Sequence, residues 1–177
     1  PNVLVLRPAD ANEVSQAWRM ALEHTTGPSV LVLTRQNLPT YPRTESNPAS
    51  LVSKGAYVLS ASPLATLDGI VIATGSEVQL AIQAQSSLAE KGIGIQVVSM
   101  PSWELFNLQP EEYKQQVLPA EITKRVSIEA GSTFGWQRYL GLEGKAIGVD
   151  TFGESAPYEE LYEHFGITKE AIIDYFS

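Results

Sequence analysis

Apolar residues along this chain come in short continuous runs separated by stripes of helical period. Val3-Leu4-Val5-Leu6 is the first run, of the kind expected of a strand buried on both faces of a parallel sheet. Asp10 follows with Glu13 three residues on, a capping-box-like helix start. Val14, Ala17, Trp18, Ala21 and Leu22 then recur at helical spacing, which predicts one stripe facing a core. Gly27-Pro28 stops that helix, and Val30-Leu31-Val32-Leu33 is a second buried-type run. Residues 3–34 therefore read as one β-α-β unit with a right-handed crossover.

Residues 35–53 lose all period and carry Pro39, Pro42, Pro48, Asn37 and Asn47, so they read as a surface linker and a domain boundary. Beyond it the alternation resumes. Strands are expected at 56–60, 70–73, 95–98, 126–129 and 146–149. Helices are expected from a capping box at Ser76 and Gln79 to Lys91-Gly92, and over 110–117, 136–140, 157–165 and 168–176. Strands alternating with helices predict an α/β fold, a mostly parallel sheet covered by helices on both faces.

Composition narrows the classes. The chain has 177 residues, no Cys and a net charge of −8. Such an acidic balance disfavours a nucleic-acid surface, and the absence of Cys removes disulfides, thiolate metal sites and Cys nucleophiles. No apolar run is long enough for a signal-peptide core or a membrane span. A chain opening on Pro1 and a strand, without an initiator Met, reads as processed or as a piece of a longer protein.

Few residues stand out chemically. Thr74-Gly75-Ser76-Glu77 lies at a strand-to-helix turn, where free N–H groups can hold an anion, but it fits neither glycine-rich phosphate motif and reads as a capped helix. Arg35 lies just past the end of a parallel-type strand, where open α/β sheets bind ligands; it reads as a phosphate or carboxylate ligand or as a solvated loop arginine. His24 and His164 are the only histidines and neither has a second imidazole at metal-ligand spacing, so they read as a helix C-terminal cap and a surface residue. Glu111, Glu112, Glu159 and Glu160 read as solvated helix faces. The turns at 131–136 and 152–157, both containing Gly and aromatic residues, follow strands on one rim of the sheet and read as tight turns or as an interface.

Seven motifs, in order, carry a resemblance. Leu6-Arg7-Pro8-Ala9-Asp10, Leu33-Thr34-Arg35-Gln36, Ala73-Thr74-Gly75-Ser76-Glu77-Val78, Ser99-Met100-Pro101-Ser102, Val117-Leu118-Pro119, Glu129-Ala130-Gly131-Ser132-Thr133 with Gly135-Trp136, and Phe152-Gly153-Glu154-Ser155-Ala156-Pro157 together resemble the C-terminal part of transketolases. Ser102-Trp103-Glu104-Leu105-Phe106 looks most like the plant and cyanobacterial branch.

The resemblance implies that residues 1–38 are the C-terminal end of a pyrimidine-binding domain, 39–53 a linker, and 54–177 a transketolase C-terminal domain. It implies a thiamine-diphosphate- and Mg²⁺-dependent enzyme that moves a two-carbon ketol unit from a ketose phosphate to an aldose phosphate, with the cofactor ring as electron sink. Such an enzyme is a homodimer of the cytoplasm or plastid stroma, serving the pentose phosphate pathway or the Calvin cycle. The cofactor-binding, metal-binding and catalytic residues are expected upstream, which leaves no catalytic, cofactor or metal ligand here and an inactive chain. One site residue carries over: Arg35 matches the arginine that binds the sugar phosphate. A 1-deoxyxylulose-5-phosphate synthase, a dihydroxyacetone synthase, or a non-enzymatic α/β binding or dimerisation module are the other readings.

Overall fold

A computed structural model describes residues 2–177. Strands β1 (Leu4–Leu6) and β2 (Ser29–Leu31) pair in parallel, joined by helix α1 (Ala11–Glu23). Asp10 caps that helix, its Oδ1 accepting from the Glu13 amide at 2.9 Å, and the His24 N–H closes it on Met20 O. The β-α-β unit is thus present, with one difference from the sequence pattern. The buried side of α1 is centred on Glu13 and Ala17, whereas Trp18 is 52% and Leu22 77% exposed. Val30, Val32 and Leu33 are exposed too, so the second run is not covered on both faces. Period shows which residues share a face; it cannot show what lies opposite.

After an irregular stretch, Ala49–Lys54 makes a short 3₁₀ turn that the linker reading did not anticipate. It ends at Gly55, whose φ is +82° and where a Cβ would stand 2.2 Å from Phe106 N, so only glycine fits. Five further strands follow: β3 (Tyr57–Ser60), β4 (Gly69–Ala73), β5 (Ile95–Ser99), β6 (Arg125–Ile128) and β7 (Lys145–Ile147). Their order is β3-β5-β4-β6-β7, parallel except for β3, which runs antiparallel to β5 at one edge.

The sheet is covered on both sides, as its central strands require. β4 and β5 are buried at every residue. Successive side chains of β4 serve opposite faces. Val71 and Ala73 pack with α2 (Val78–Glu90) and α7 (Lys169–Phe176), through Ala81, Leu88, Ile172 and Phe176. Ile70 and Ile72 pack with α3 (Trp103–Asn107), α4 (Glu111–Val117) and α5 (Gln137–Leu140), through Phe106, Val117, Tyr139 and Leu140. Helix α6 (Tyr158–His164) lies on the surface before α7. The Ser76 capping box does not form: Gly75–Glu77 is a 3₁₀ turn, α2 starts at Val78, and the Ser76 hydroxyl donates to Glu77. Helix α3, capped by Ser102, escapes the sequence reading because five residues are too few to show a period.

The β-α-β unit is fastened to the larger sheet through Glu13. Its buried carboxyl accepts from Tyr57 Oη of β3 at 2.6 Å, Ser99 Oγ of β5 at 2.7 Å and the Ala9 amide at 2.8 Å. Burial pushes this carboxyl above the ordinary glutamate range, while the three donors pull it back. Replacing Glu13 by Ala strands three buried donors at about 1–3 kcal/mol each. Glu13→Ala is therefore expected to lower stability by about 3 kcal/mol or more, read as a drop in the urea midpoint, and Glu13→Gln by less.

Candidate functional site

In an open α/β sheet, ligands sit beyond the carboxyl ends of the strands where the winding reverses. Here that point lies between β4 and β6, because the chain passes from β4 to β5 on one side and from β6 to β7 on the other. The crevice is taken up by the protein's own Arg7, from the end of β1. Its Nη2 lies 3.7 Å from Glu77 Oε2 and its Nε 3.1 Å from Glu129 Oε1. The second contact is ionic rather than a well-aimed hydrogen bond, since Nε–H has no acceptor in line. Arg7 is also fixed by its main chain, its N–H donating to Pro101 O at 2.8 Å and its carbonyl accepting from Gly75 N at 3.0 Å. Gly75 adopts φ +53° to present that amide.

Both carboxylates have further donors. Glu77, with no exposure, accepts from the Ser76 hydroxyl at 2.6 Å, the Ala130 amide at 3.0 Å and the Tyr162 hydroxyl of α6. Burial and the facing Glu77 charge push the Tyr162 phenol up, so it remains a donor. Glu129 accepts from Trp136 Nε1 at 2.9 Å and Thr74 Oγ1 at 3.3 Å. Beside Arg7 a cleft of about 220 Å³ opens against Trp103, Met100 and Glu104.

Arg35 stands elsewhere on the rim, in the loop after β2, exposed and without an ion pair or side-chain hydrogen bond among the described residues. Its successor Gln36 reaches α6, with Nε2 3.1 Å from Tyr162 Oη. The structure thus separates Arg35, free to meet an anion, from Arg7, already neutralised. The strand-end argument applied to Arg35 applies equally to Arg7, yet the acids that claim Arg7 come from distant segments.

The remaining candidates fall into place. Asp150 holds the turn at 131–136, accepting from Thr133 Oγ1 at 2.6 Å, the Thr133 amide at 2.8 Å and Ser132 Oγ at 3.1 Å, and these bonds hold its carboxyl below the ordinary range. Phe134 and Phe152 on the two turns are exposed, whereas Trp136 is buried. His24 caps α1 with its backbone and meets Ser29 Oγ through Nδ1 at 3.0 Å. His164 is exposed, 3.6 Å from Glu154. Among the described residues no group of three or more His, Asp or Glu side chains is arranged to hold a metal ion, and no helix is long and apolar enough to cross a membrane.

Residues 55–168 match the family model described as the transketolase-like C-terminal domain, and residues 1–40 match the transketolase pyrimidine-binding domain. The chain belongs to the transketolase family. It is 49% identical over 174 residues to the transketolase of Bacillus subtilis strain 168, covering 98% of this chain and 26% of that protein. It is 51% identical over 174 residues to a chloroplastic transketolase of Craterostigma plantagineum, covering 98% of this chain and 33% of that protein. The structure of transketolase from Leishmania mexicana superimposes with a TM-score of 0.87 at 41% identity, over 99% of this chain and 25% of that one. The chain therefore spans between about a quarter and a third of the length of these relatives.

Removing Arg7 leaves Glu77 buried without its only ion pair among the described residues. Arg7→Leu is expected to destabilise the protein by about 3 kcal/mol, as loss of one partner of a buried pair does. Denaturant unfolding reads this directly, and Arg7→Lys should recover part of it, since an ammonium restores charge but not the planar fork.

Proposed function

We propose that this chain supplies the C-terminal part of a thiamine-diphosphate-dependent transketolase, in which Arg35 binds the phosphate of the sugar substrates while a two-carbon ketol unit passes from a ketose phosphate to an aldose phosphate. One observation carries the assignment of Arg35. It is an exposed guanidinium beyond the carboxyl end of a parallel strand, with no protein anion to neutralise it, whereas Arg7 in the comparable position is claimed by Glu77 and Glu129. A guanidinium in this state can offer two parallel N–H groups to a phosphate.

On this reading residues 1–38 end a pyrimidine-binding domain, 39–53 link it, and 54–177 form the C-terminal domain of an enzyme acting as a homodimer in the cytoplasm or plastid stroma. The uncovered apolar side chains Trp18, Leu22, Val30 and Leu33 are then the surface on which the rest of the pyrimidine-binding domain packs. On this reading the metal and diphosphate end of the cofactor is held upstream of these residues, and among the described residues no group of three or more acidic or imidazole side chains is arranged to hold a metal. Its contribution is to bind and orient the sugar.

In the full-length enzyme, Arg35→Ala is expected to raise KM for phosphorylated sugars about tenfold or more, with a smaller effect on kcat, the pattern of lost uniform binding. An unchanged KM removes Arg35 from the site. This chain alone, supplied with thiamine diphosphate, Mg²⁺ and donor and acceptor sugars, is expected to show no transfer above background.

A further inference from the structure

The loop that carries Arg35 is long, irregular and poorly supported. Its last strand-like hydrogen bond is Val32 N–H to Leu6 O at 2.8 Å, and the main chain is next held at Tyr41, whose amide donates to Asp10 Oδ2 at 3.0 Å. Beneath the intervening residues lies a cleft of about 260 Å³, walled by Leu33, Thr34, Gln36 and Leu38 on the loop side and by Asp10 and Val14 on the α1 side. Packing therefore does little to fix the loop. Among the described residues, Gln36 makes the only hydrogen bonds from residues 33–40 to a distant part of the chain.

That bond has a defined polarity. The one hydrogen of the Tyr162 phenol goes to the buried Glu77 carboxylate, which leaves the phenol oxygen as an acceptor for Gln36 Nε2 at 3.1 Å. Gln36 Oε1 meets Gln79 Nε2 of α2 at 3.5 Å, and the Gln36 amide turns back to Thr34 Oγ1 at 3.2 Å, so both neighbours of Arg35 are restrained. Glu77 is in turn held by Ser76, Ala130 and Arg7. The anchor is rigid and belongs to the C-terminal module, while the arginine belongs to the β-α-β unit.

We infer that Tyr162, acting through Gln36, is a positioning residue for the sugar-phosphate site: the C-terminal module holds the Arg35 loop in its phosphate-binding conformation. This rests on the reading of Arg35 as the phosphate ligand. The loop then enters the complex already ordered, and a phosphorylated sugar gains affinity because less freedom is lost when it binds. A sugar without the phosphate gains nothing from the tether.

The test uses the full-length enzyme with saturating thiamine diphosphate and Mg²⁺, and steady-state kinetics on an aldose phosphate acceptor and on the same aldose without phosphate. Tyr162→Phe and Gln36→Leu should each raise KM for the phosphorylated acceptor about fivefold, the effect of one neutral hydrogen bond. The kcat and the kinetics of the unphosphorylated acceptor should change by less than about twofold. The double variant should be no worse than either single one, since both remove the same bond. If Arg35→Ala raises KM for the phosphorylated acceptor while Gln36→Leu and Tyr162→Phe do not, the tether is wrong and the assignment of Arg35 stands. Loss of both acceptors in parallel also overturns the tether, because a merely structural role would not discriminate the phosphate. If Arg35→Ala itself leaves KM unchanged, the assignment fails and the tether with it. Gln36→Leu, on a surface loop, keeps the test decisive should Tyr162→Phe fold poorly.

Discussion

A carboxylate with no access to solvent must be met by donors and by a cation, and Glu77 is met by both. Moving such a charge out of water is so unfavourable that its partners are constrained to arrive together. They come from four places: Arg7 from the β-α-β unit, Ser76 from the turn after β4, Ala130 from the end of β6 and Tyr162 from α6. Satisfying one buried charge thus fixes the relative placement of two modules and two strand ends. Glu13 repeats the logic from the other side, a buried carboxyl of α1 met by hydroxyls of β3 and β5. Two buried carboxyls, one from each side of the join, thus find partners on the other side.

At the reversal point of the sheet the cleft of about 220 Å³ is bordered by a guanidinium that the protein's own carboxylates already neutralise. The crevice between β4 and β6 has the geometry that recruits anions or nucleotides in other open sheets. Here it presents two acidic side chains, and an internal guanidinium lies against both. The role proposed for an external anion falls instead to Arg35, which has no protein partner among the described residues. Arg7 and Arg35, two of the three arginines in residues 1–38, therefore differ by what surrounds them rather than by what they are.

How much of this could be read from the sequence depended on range. The runs at 70–73 and 95–98 were legible because burial on both faces of a central strand is written locally, whereas α2 was expected from its ends, a capping box at Ser76 that does not form and a stop at Lys91-Gly92. The antiparallel direction of β3 was not, since direction depends on a partner some forty residues away. The short α3 and the 3₁₀ turn at 49–54 were too brief to show a period, and exposed Trp18 shows that a stripe does not say what covers it. Arg35 stood out by position at a strand end. Arg7, Glu77, Tyr162 and Glu13 did not, because nothing local marks a glutamate whose phenol partner lies 85 residues on.

Part of the join is made without side chains at all. The Arg7 amide and carbonyl bond to Pro101 O and Gly75 N, and the left-handed Gly75 has open space where a Cβ would be. At position 7 both bonds survive any exchange short of proline, whereas at position 75 the φ of +53° favours glycine even though a Cβ would meet nothing there. Main-chain bonds thus fasten the same join that the charged side chains around Glu77 hold. Substitution at Glu77 or Tyr162 removes side-chain partners from this join and leaves its main-chain bonds in place.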